Sequence, residues 1–573
     1  MLKWFDRFPG RLERELEEFR DRGLNFQLDE RQLQDQGRVM LHGLLNSEGG
    51  ELELEVAYPD LFPYLRPEVY APGLHLPRHQ NPYQGNLCLL DRPTAAWKPS
   101  DTAAWLVDNQ VRTLLSLIAE GGQELRDGEA PQGEPASVYF GAAPGTAIFV
   151  PEEALVVDPN CAAGSGAIFC SVLEPPRLQL RGLLGELVTK NRKRKVRTVA
   201  TADQGLASRF GGKRVPFRWV RLSAPPEGNT PFDLLEAANA VRPGFGAAPW
   251  QSVLDGEMSI CGFVFKEEVE QGVWEDAWIF VVSARPHGGE EVAYIVRGER
   301  LTPRDLGVRI PALTNLSNKT VAIIGVGALG AQTAVELARS QVGELRLLDH
   351  DFVEPGNSVR WPMGLSAVGF PKVDALGQLL RTDHPFTNVE LFRHRLGESA
   401  FVRSGRTESE LDLLERLLDG VDLVIDASAE IAIQQLIATS ADECGLPQLY
   451  LSATEGALGG IVASVQPYVG GCWMCLQTAF DDGRIHLPPH DSGRAVQPRG
   501  CASLTFTGAS FDLAPIASQG ARVAVEMMGG SNHHRVDICS ISAEGARPPA
   551  WTSHLLKRQE GCSACALAEK RAA

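Results

Sequence analysis

The chain has 573 residues, 44% hydrophobic and 22% charged, which is ordinary for globular protein and, at roughly 150 residues per domain, enough for three or four domains. A formal charge of −17 argues against nucleic acid as the main partner, because phosphate binding needs clustered Lys and Arg, and against an anionic membrane surface. No run of about 18 apolar residues predicts a membrane span, the charged opening MLKWFDRFPGRLERELEEF is not a secretory signal, and the 11 cysteines of a chain expected in the cytoplasm should be thiols, metal ligands or nucleophiles.

Leu12, Leu16 and Phe19 recur at helical spacing and Gly23 follows as a stop, which predicts a helix. In VMLHGLLNSEGGELELEVAY, Leu52, Leu54, Val56 and Tyr58 alternate with charges, so this is a strand entered through the turn NSEGG. LFPYLRPEVYAPG is extended and punctuated by proline. Then comes RHQNPYQGNLCLL, a polar loop carrying His79, Asn81 and a single thiol, Cys88, followed by Trp97. Leu106, Val107, Val111, Leu114, Leu115 and Ile118 form a second helical stripe. The segment RDGEAPQGEPAS (126–137) is expected to be a linker closing a first domain over 1–125.

Residues 138–305 show short β-like runs, AIFV, GAIFC, CGFVF, AWIFVV and VAYIV, between Pro/Gly turns. They predict a mostly β or α+β middle domain without a chemical motif. Its basic run KNRKRKVR is expected to be a solvated loop, given the acidic whole.

Residues 306–573 alternate strand and helix, the rhythm of a parallel sheet covered by helices. TVAIIGVGALGAQTA places Gly325, Gly327 and Gly330 between a strand and a helix, where glycine backbone approaches phosphates and the helix N-terminus offers N–H groups. Asp349 ends the next strand and is placed to take ribose hydroxyls. Alone, this pattern suits a dinucleotide dehydrogenase equally well. The next stretch adds Asp351, Asn357, Arg360 and Lys372, an amide and two cations that a dehydrogenase has no reason to gather. A triphosphate attacked at its α-phosphate needs such cations.

The order strand, G-x-G-x-x-G, D-x-D, N-x-x-R and a later Lys resembles the ThiF/MoeB/ubiquitin-activating adenylyltransferase family. The resemblance implies a Rossmann-like adenylation domain over 306–573, with ATP and magnesium. Asp349 would bind ribose, and Asn357, Arg360 and Lys372 phosphates. Arg309 resembles the arginine that some relatives donate across a dimer. The family's D-C-T-D-N stretch is DASAE here, with Ala429 where the second Asp helps hold magnesium, so Asp426 or Glu430 is the substitute ligand.

Cys472 and Cys475, in GGCWMCLQ, and Cys562 and Cys565, in GCSACALAEK, are two C-x-x-C pairs that can close a tetrahedral zinc site. Cys501 lies between the pairs in a Gly/Pro/Arg loop beside Arg499, which favours a thiolate, and the family's thioester-forming cysteine occupies a loop of the same position and character. Cys444 and Cys539 are expected in the core, at a helix end and in an apolar strand.

The N-terminal stretch in turn resembles the ubiquitin-conjugating fold, an α+β fold of helix, β-meander, Pro-rich turn, H-P-N, a cysteine in G-x-I-C-L, W-x-P and a helix. Here these are His79-Gln80-Asn81, Gly85-Asn86-Leu87-Cys88-Leu89 and Trp97-Lys98-Pro99, with Gln80 in place of proline and a gap one residue shorter. By resemblance Cys88 is an acyl carrier, Asn81 stabilises the oxyanion or holds the loop, His79 orients the loop, and Asp91 is an exposed acid. Fusions of conjugating and activating domains are known from bacterial antiphage operons of the cyclic-oligonucleotide (CBASS) type, where the substrate is the C-terminus of a nucleotidyltransferase (CD-NTase).

The expected cycle is adenylation of a partner's C-terminal carboxylate, capture by Cys501, thioester exchange to Cys88, and attack by a target amine, in a homodimer with a separate isopeptidase. A sulfur-carrier adenylyltransferase of cofactor biosynthesis, or a binding module joined to a dinucleotide-dependent oxidoreductase, are the alternatives.

Overall fold

The computed structural model describes residues 2–47, 50–76, 78–89, 97–119, 133–155, 157–172, 179–191, 194–199, 213–245, 249–253, 256–397, 409–496, 505–531, 534–541 and 548–566. It forms two compact units, the first ending at Leu301 and the second beginning at Thr302.

The first unit opens with a four-stranded antiparallel meander, Asn25–Leu28, Met40–Ser47, Gly50–Ala57 and Glu68–Tyr70, each strand paired with the next. Period-two alternation sends Leu41, Leu45, Leu54, Val56 and Val69 to one buried face. Helix Arg11–Asp21 lays Phe19 on that face. Its buried Glu15 accepts from the Tyr58 hydroxyl at 2.9 Å and the Ala103 N–H at 2.8 Å, with Arg11 alongside at 2.8 Å. The second stripe forms helical turns Ala103–Trp105 and Arg112–Ala119 joined by a wider π-turn, Leu106–Val111, and buries Leu106, Val111 and Leu114 in the same core. The thiol loop lies between meander and stripe, and Trp97 beyond it donates to the Pro63 carbonyl at 2.8 Å.

The short β runs of the middle region close into a barrel. Strands Gly256–Glu270, Val273–Pro286, Val292–Leu301, Ala147–Pro151, Leu180–Asn191, Ala163–Val172 and Lys213–Arg221 pair in that order, and the last returns to the first in parallel through Cys261↔Arg218 to Val264↔Arg221. Trp219, Trp278, Phe217, Phe280, Ile260 and Ile168 belong to one cluster, the inner one. Gly262 faces the same rings, and a Cβ there would sit 3.1–3.2 Å from Phe217, Trp278 and Phe280. The alternate residues Cys261, Phe263, Phe265, Ile279 and Val281 pack outward under Phe140 and helix Pro231–Val241. The basic run is not the expected loop: Leu180–Asn191 and Arg194–Val199 pair as a hairpin with Asn191↔Arg194 innermost. Alternating Lys and Arg hid the strand period.

The second unit is an eight-stranded sheet. Asn388–Arg393, Glu344–Asp349, Thr320–Ile324, Leu423–Asp426 and Gln448–Ala453 run parallel, and Gly459–Val465, Arg535–Ser540 and Ala550–Leu555 continue it antiparallel. From Thr320–Ile324 the chain first builds outward through Glu344–Asp349, then returns to add Leu423–Asp426 on the other side. That reversal makes the carboxyl end of Thr320–Ile324 a topological switch point, where open α/β sheets leave a crevice. Helices Ala328–Arg339 and Ser510–Met528 pack together there, with Thr333 Oγ donating to the Ala517 carbonyl at 3.3 Å. Cys539 is buried in its strand, but Cys444, expected in the core, is exposed at the end of helix Ile431–Cys444. No helix among the described residues is long and apolar enough to cross a membrane.

Candidate functional site

At the switch point, strand register sets the geometry. Ile324 pairs with Leu348 on one side and with Asp426 on the other, so Asp349 and Asp426 flank the glycine loop that follows. Each glycine answers a different demand. Gly325 has φ +82°, and a Cβ there would lie 2.8 Å from the Ser428 Cα. A Cβ on Gly330 would lie 2.0 Å from the Gly325 carbonyl oxygen, so only glycine lets the helix pack on its own loop. Gly327, the N-cap of Ala328–Arg339, has nothing within 4 Å of a built Cβ; that side is open to whatever approaches the helix N-terminus.

Asp349 is buried and fastens the loop, accepting the Val326 N–H at 2.8 Å through Oδ2 and the Asp351 N–H at 2.8 Å through Oδ1. Trp361 seals the opposite edge, its indole N–H donating to the Val326 carbonyl at 2.9 Å. Motif reasoning passed over this tryptophan, although it directly follows Arg360 in the sequence.

Backbone pairing of Asp351–Val353 with Phe370–Lys372 brings Lys372 Nζ to 2.8 Å from Asp351 Oδ2, with His350 Nε2 at 3.2 Å from Oδ1. Burial pushes the Asp351 carboxyl up, but Lys372, His350 and Arg395 together outweigh it and the pKa ends below the ordinary value. Asn357 is spent partly on its own turn, its Oδ1 accepting the Glu354 N–H at 2.9 Å. The Arg360 N–H donates to the Asn357 carbonyl at 3.0 Å, and burial lowers the guanidinium pKa.

Asp426 is 1% exposed. Oδ1 accepts from the Ser428 N–H at 2.9 Å and hydroxyl at 2.7 Å, while Oδ2 has no hydrogen-bond partner among the described residues. Burial pushes its pKa up to about 6, and Glu430 adds to the rise. An orphaned carboxylate oxygen beside the glycine loop is chemistry a hard cation satisfies. Asp349, His350 and Asp351 also bring ligand atoms within 4.8 Å of one another. Ala429 holds φ +59° and Arg309 is exposed.

In the first unit Cys88 is exposed. Its N–H donates to the His79 carbonyl at 2.8 Å, and His79 adopts a left-handed φ of +62°. Asn81 builds the turn: its Oδ1 accepts the Tyr83 and Gln84 N–H groups, both at 3.0 Å. Gln80, where the resembled motif has proline, is a buried strut. Its Oε1 accepts the Leu76 N–H at 2.8 Å, and its Nε2 donates to the Leu74 and Gly85 carbonyls at 2.8 and 3.2 Å. Asp91 lies outside the described residues.

The four cysteines converge. Sγ–Sγ distances are 3.8 Å for Cys472–Cys475, 3.7 Å for Cys472–Cys562 and 3.6 Å for Cys475–Cys565. A tetrahedron of thiolates about 2.3 Å from zinc has edges of about 3.8 Å. The Gln559 N–H points at Cys475 Sγ at 3.3 Å, the kind of donor that supports a metal-bound thiolate. Cys501 and Arg499 lie outside the described residues, in a segment bracketed by the paired strands Ala495–Val496 and Thr505–Phe506.

Residues 304–531 match the ThiF family, so the parallel sheet with this glycine loop, the carboxylates Asp349 and Asp351 and the cations beside them is a domain of the adenylating class. The chain belongs to one full-length family with the protein y4oA of Sinorhizobium fredii (strain NBRC 101917 / NGR234), 31% identical over 98% of this chain and 97% of that one. The same strain's y4qC is 30% identical over 90% of each. Ubiquitin-like modifier-activating enzyme 5 of Bombyx mori is 28% identical over 28% of this chain and 40% of its own. The crystal structure of E. coli MccB with succinimide aligns with 44% of this chain and 69% of that one, at 16% identity and a TM-score of 0.34.

Proposed function

We propose that the chain activates a protein's C-terminal carboxylate with ATP and conjugates it to an amine through two thioesters. The observation that carries this is the constellation at the switch point: an open Gly327 backbone at a helix N-terminus, Asp349 beside it, and Lys372 held on Asp351. In this reading Asp349 takes the ribose hydroxyls, while Asn357, Arg360 and Lys372 neutralise the phosphates during attack at the α-phosphorus. Asp426 Oδ2 would hold a magnesium ion, whose positive charge would offset that of the phosphates. The zinc reading of the four cysteines gives that metal a structural role, tying the chain's last described turn to the sheet.

The carboxylate oxygen bonds to the α-phosphorus and pyrophosphate leaves. Cys501 sulfur then bonds to the acyl carbon as AMP leaves. Cys88 sulfur takes the acyl group from Cys501 by exchange. Finally the amine nitrogen bonds to the acyl carbon, the C–S bond breaks, and the nitrogen's proton ends on the released thiol. The N-terminal order of helix, meander, exposed-thiol loop and helix supports the ubiquitin-conjugating likeness. Substrates of this chemistry are a ubiquitin-like protein's tail or that of a CD-NTase in antiphage defence. A homodimer with Arg309 reaching across, and removal by a separate isopeptidase, complete the reading.

The test is intact-mass analysis with ATP and candidate tails, using Cys88→Ala and Cys501→Ala. The relay requires an adduct on Cys501 without Cys88 and none on Cys88 without Cys501. A sulfur-carrier enzyme would be indifferent to Cys88→Ala, and a dinucleotide oxidoreductase would exchange no pyrophosphate into ATP.

A further inference from the structure

The thiol loop is fastened from outside its own sheet. Arg78 donates to Glu268 Oε2 at 2.6 Å. The His79 N–H donates to Glu134 Oε1 at 3.2 Å. The Tyr83 hydroxyl donates to the Pro226 carbonyl at 3.2 Å, and its ring meets Phe140 edge-on at 5.2 Å. Glu134 lies within the expected linker, and Phe140, Pro226 and Glu268 lie beyond it. Glu268 is in barrel strand Gly256–Glu270, where it also takes the Glu134 N–H at 3.3 Å and the Gly272 N–H at 2.7 Å. Gly133 is pressed to the same strand, where a Cβ would lie 2.2 Å from the Glu268 carbonyl oxygen. Residues 133–137 are therefore docked on the barrel, with the Ser137 N–H and hydroxyl on Glu267 at 2.9 and 3.0 Å.

One hydrogen-bonded path runs from the barrel to the thiol. Glu268 holds the Glu134 backbone, Glu134 holds the His79 N–H, and the His79 carbonyl holds the Cys88 N–H. His79 sits between two of these bonds in a left-handed conformation that a residue with a Cβ adopts only when its surroundings over-determine it. Glu134 Oε2 is itself fixed by the Tyr139 hydroxyl at 3.3 Å. Burial, then Glu134 and Cys88, push the Tyr139 phenol up to about 12, so it stays a donor.

We propose that Glu134 is a positioning residue of the acyl-transfer centre: it clamps His79 left-handed and thereby presents Cys88 in one geometry, which gives the barrel its role. This rests on the reading of Cys88 as an acyl carrier. Glu134 acts through the acceptor oxygen it offers His79, and no proton transfer is assigned to it.

The test uses the full chain and bypasses ATP. A peptide ending in Gly-Gly, supplied as its mercaptoethanesulfonate thioester, passes its acyl group to Cys88 as mercaptoethanesulfonate leaves. Peptide mapping locates the adduct, and discharge to free lysine is timed. Glu134→Ala should discharge roughly tenfold more slowly, in kcat rather than in the KM for lysine, because the thiol is misplaced and not the acceptor. Glu134→Gln keeps an acceptor oxygen for His79 and should recover to within roughly threefold of the native rate. Tyr139→Phe, which keeps the ring and folds independently of the Glu134 variants, should slow discharge roughly threefold. Glu134→Ala discharging at the native rate overturns the clamp, and so does Glu134→Gln as slow as Glu134→Ala. A native chain that discharges no acyl group from Cys88 overturns instead the acyl-carrier reading beneath it.

Discussion

Asp426 carries a charge the fold does not accommodate, and Asp426→Asn exposes it. The carboxyl is 1% exposed with Oδ2 orphaned, and its pKa is pushed from 3.8 up to about 6. Two units at 1.36 kcal/mol each amount to about 3 kcal/mol. The folded state holds this proton more tightly than the unfolded state does. Stability is therefore greatest below the unfolded value of 3.8 and is lost as pH rises through about 6. Asn keeps an oxygen for Ser428 and does not titrate. Urea unfolding of both chains at about pH 4 and about pH 8 should show the native chain losing about 2 kcal/mol relative to the variant over that window, all other groups cancelling. Magnesium with ATP should then stabilise the native chain more than the variant. A difference that stays flat with pH would refute the buried, unsatisfied carboxylate.

Three further outcomes follow from geometry. Gly330→Ala forces a methyl onto the Gly325 carbonyl and should cost about 2–4 kcal/mol of the second unit's stability by urea unfolding, whereas Gly327→Ala, with open space, should stay within about 1 kcal/mol yet weaken ATP binding by calorimetry. The purified chain should carry roughly one zinc by elemental analysis, and Cys562→Ser should lose it and lower the Tm of the second unit. Gln80→Leu strands the Leu74 carbonyl and the Leu76 N–H, leaves the Gly85 carbonyl only its long bond from the Ala71 N–H, and should destabilise the first unit by about 2–3 kcal/mol by thermal unfolding.

Much of the second unit was legible because its constraints are local. A strand, three glycines and a helix occupy adjacent residues, and the C-x-x-C pairs each occupy a single turn, so spacing reports their geometry directly. The barrel was not legible as a barrel. Its strands announce themselves one by one, but closure depends on Lys213–Arg221 meeting Gly256–Glu270 in parallel, a pairing no local pattern encodes. The basic hairpin failed for a related reason: its charged side chains mask the alternation that marks a strand. Cys444 was misplaced because a helix end next to apolar residues does not say which face the tertiary fold leaves open.

By itself the sequence determined the chemistry available: two separated thiols, a glycine loop between strand and helix, a carboxylate pair and two C-x-x-C pairs. Tertiary structure alone decided what those groups touch. Asp351 meets Lys372 because the backbone of Asp351–Val353 pairs with that of Phe370–Lys372. Gln80 became a strut, and Glu134, in a stretch that spells a linker, reached the loop of Cys88. The reason is physical. Side-chain type and short-range spacing fix what a residue can donate or accept, whereas partners far apart in the chain are chosen by packing, which only the assembled fold specifies.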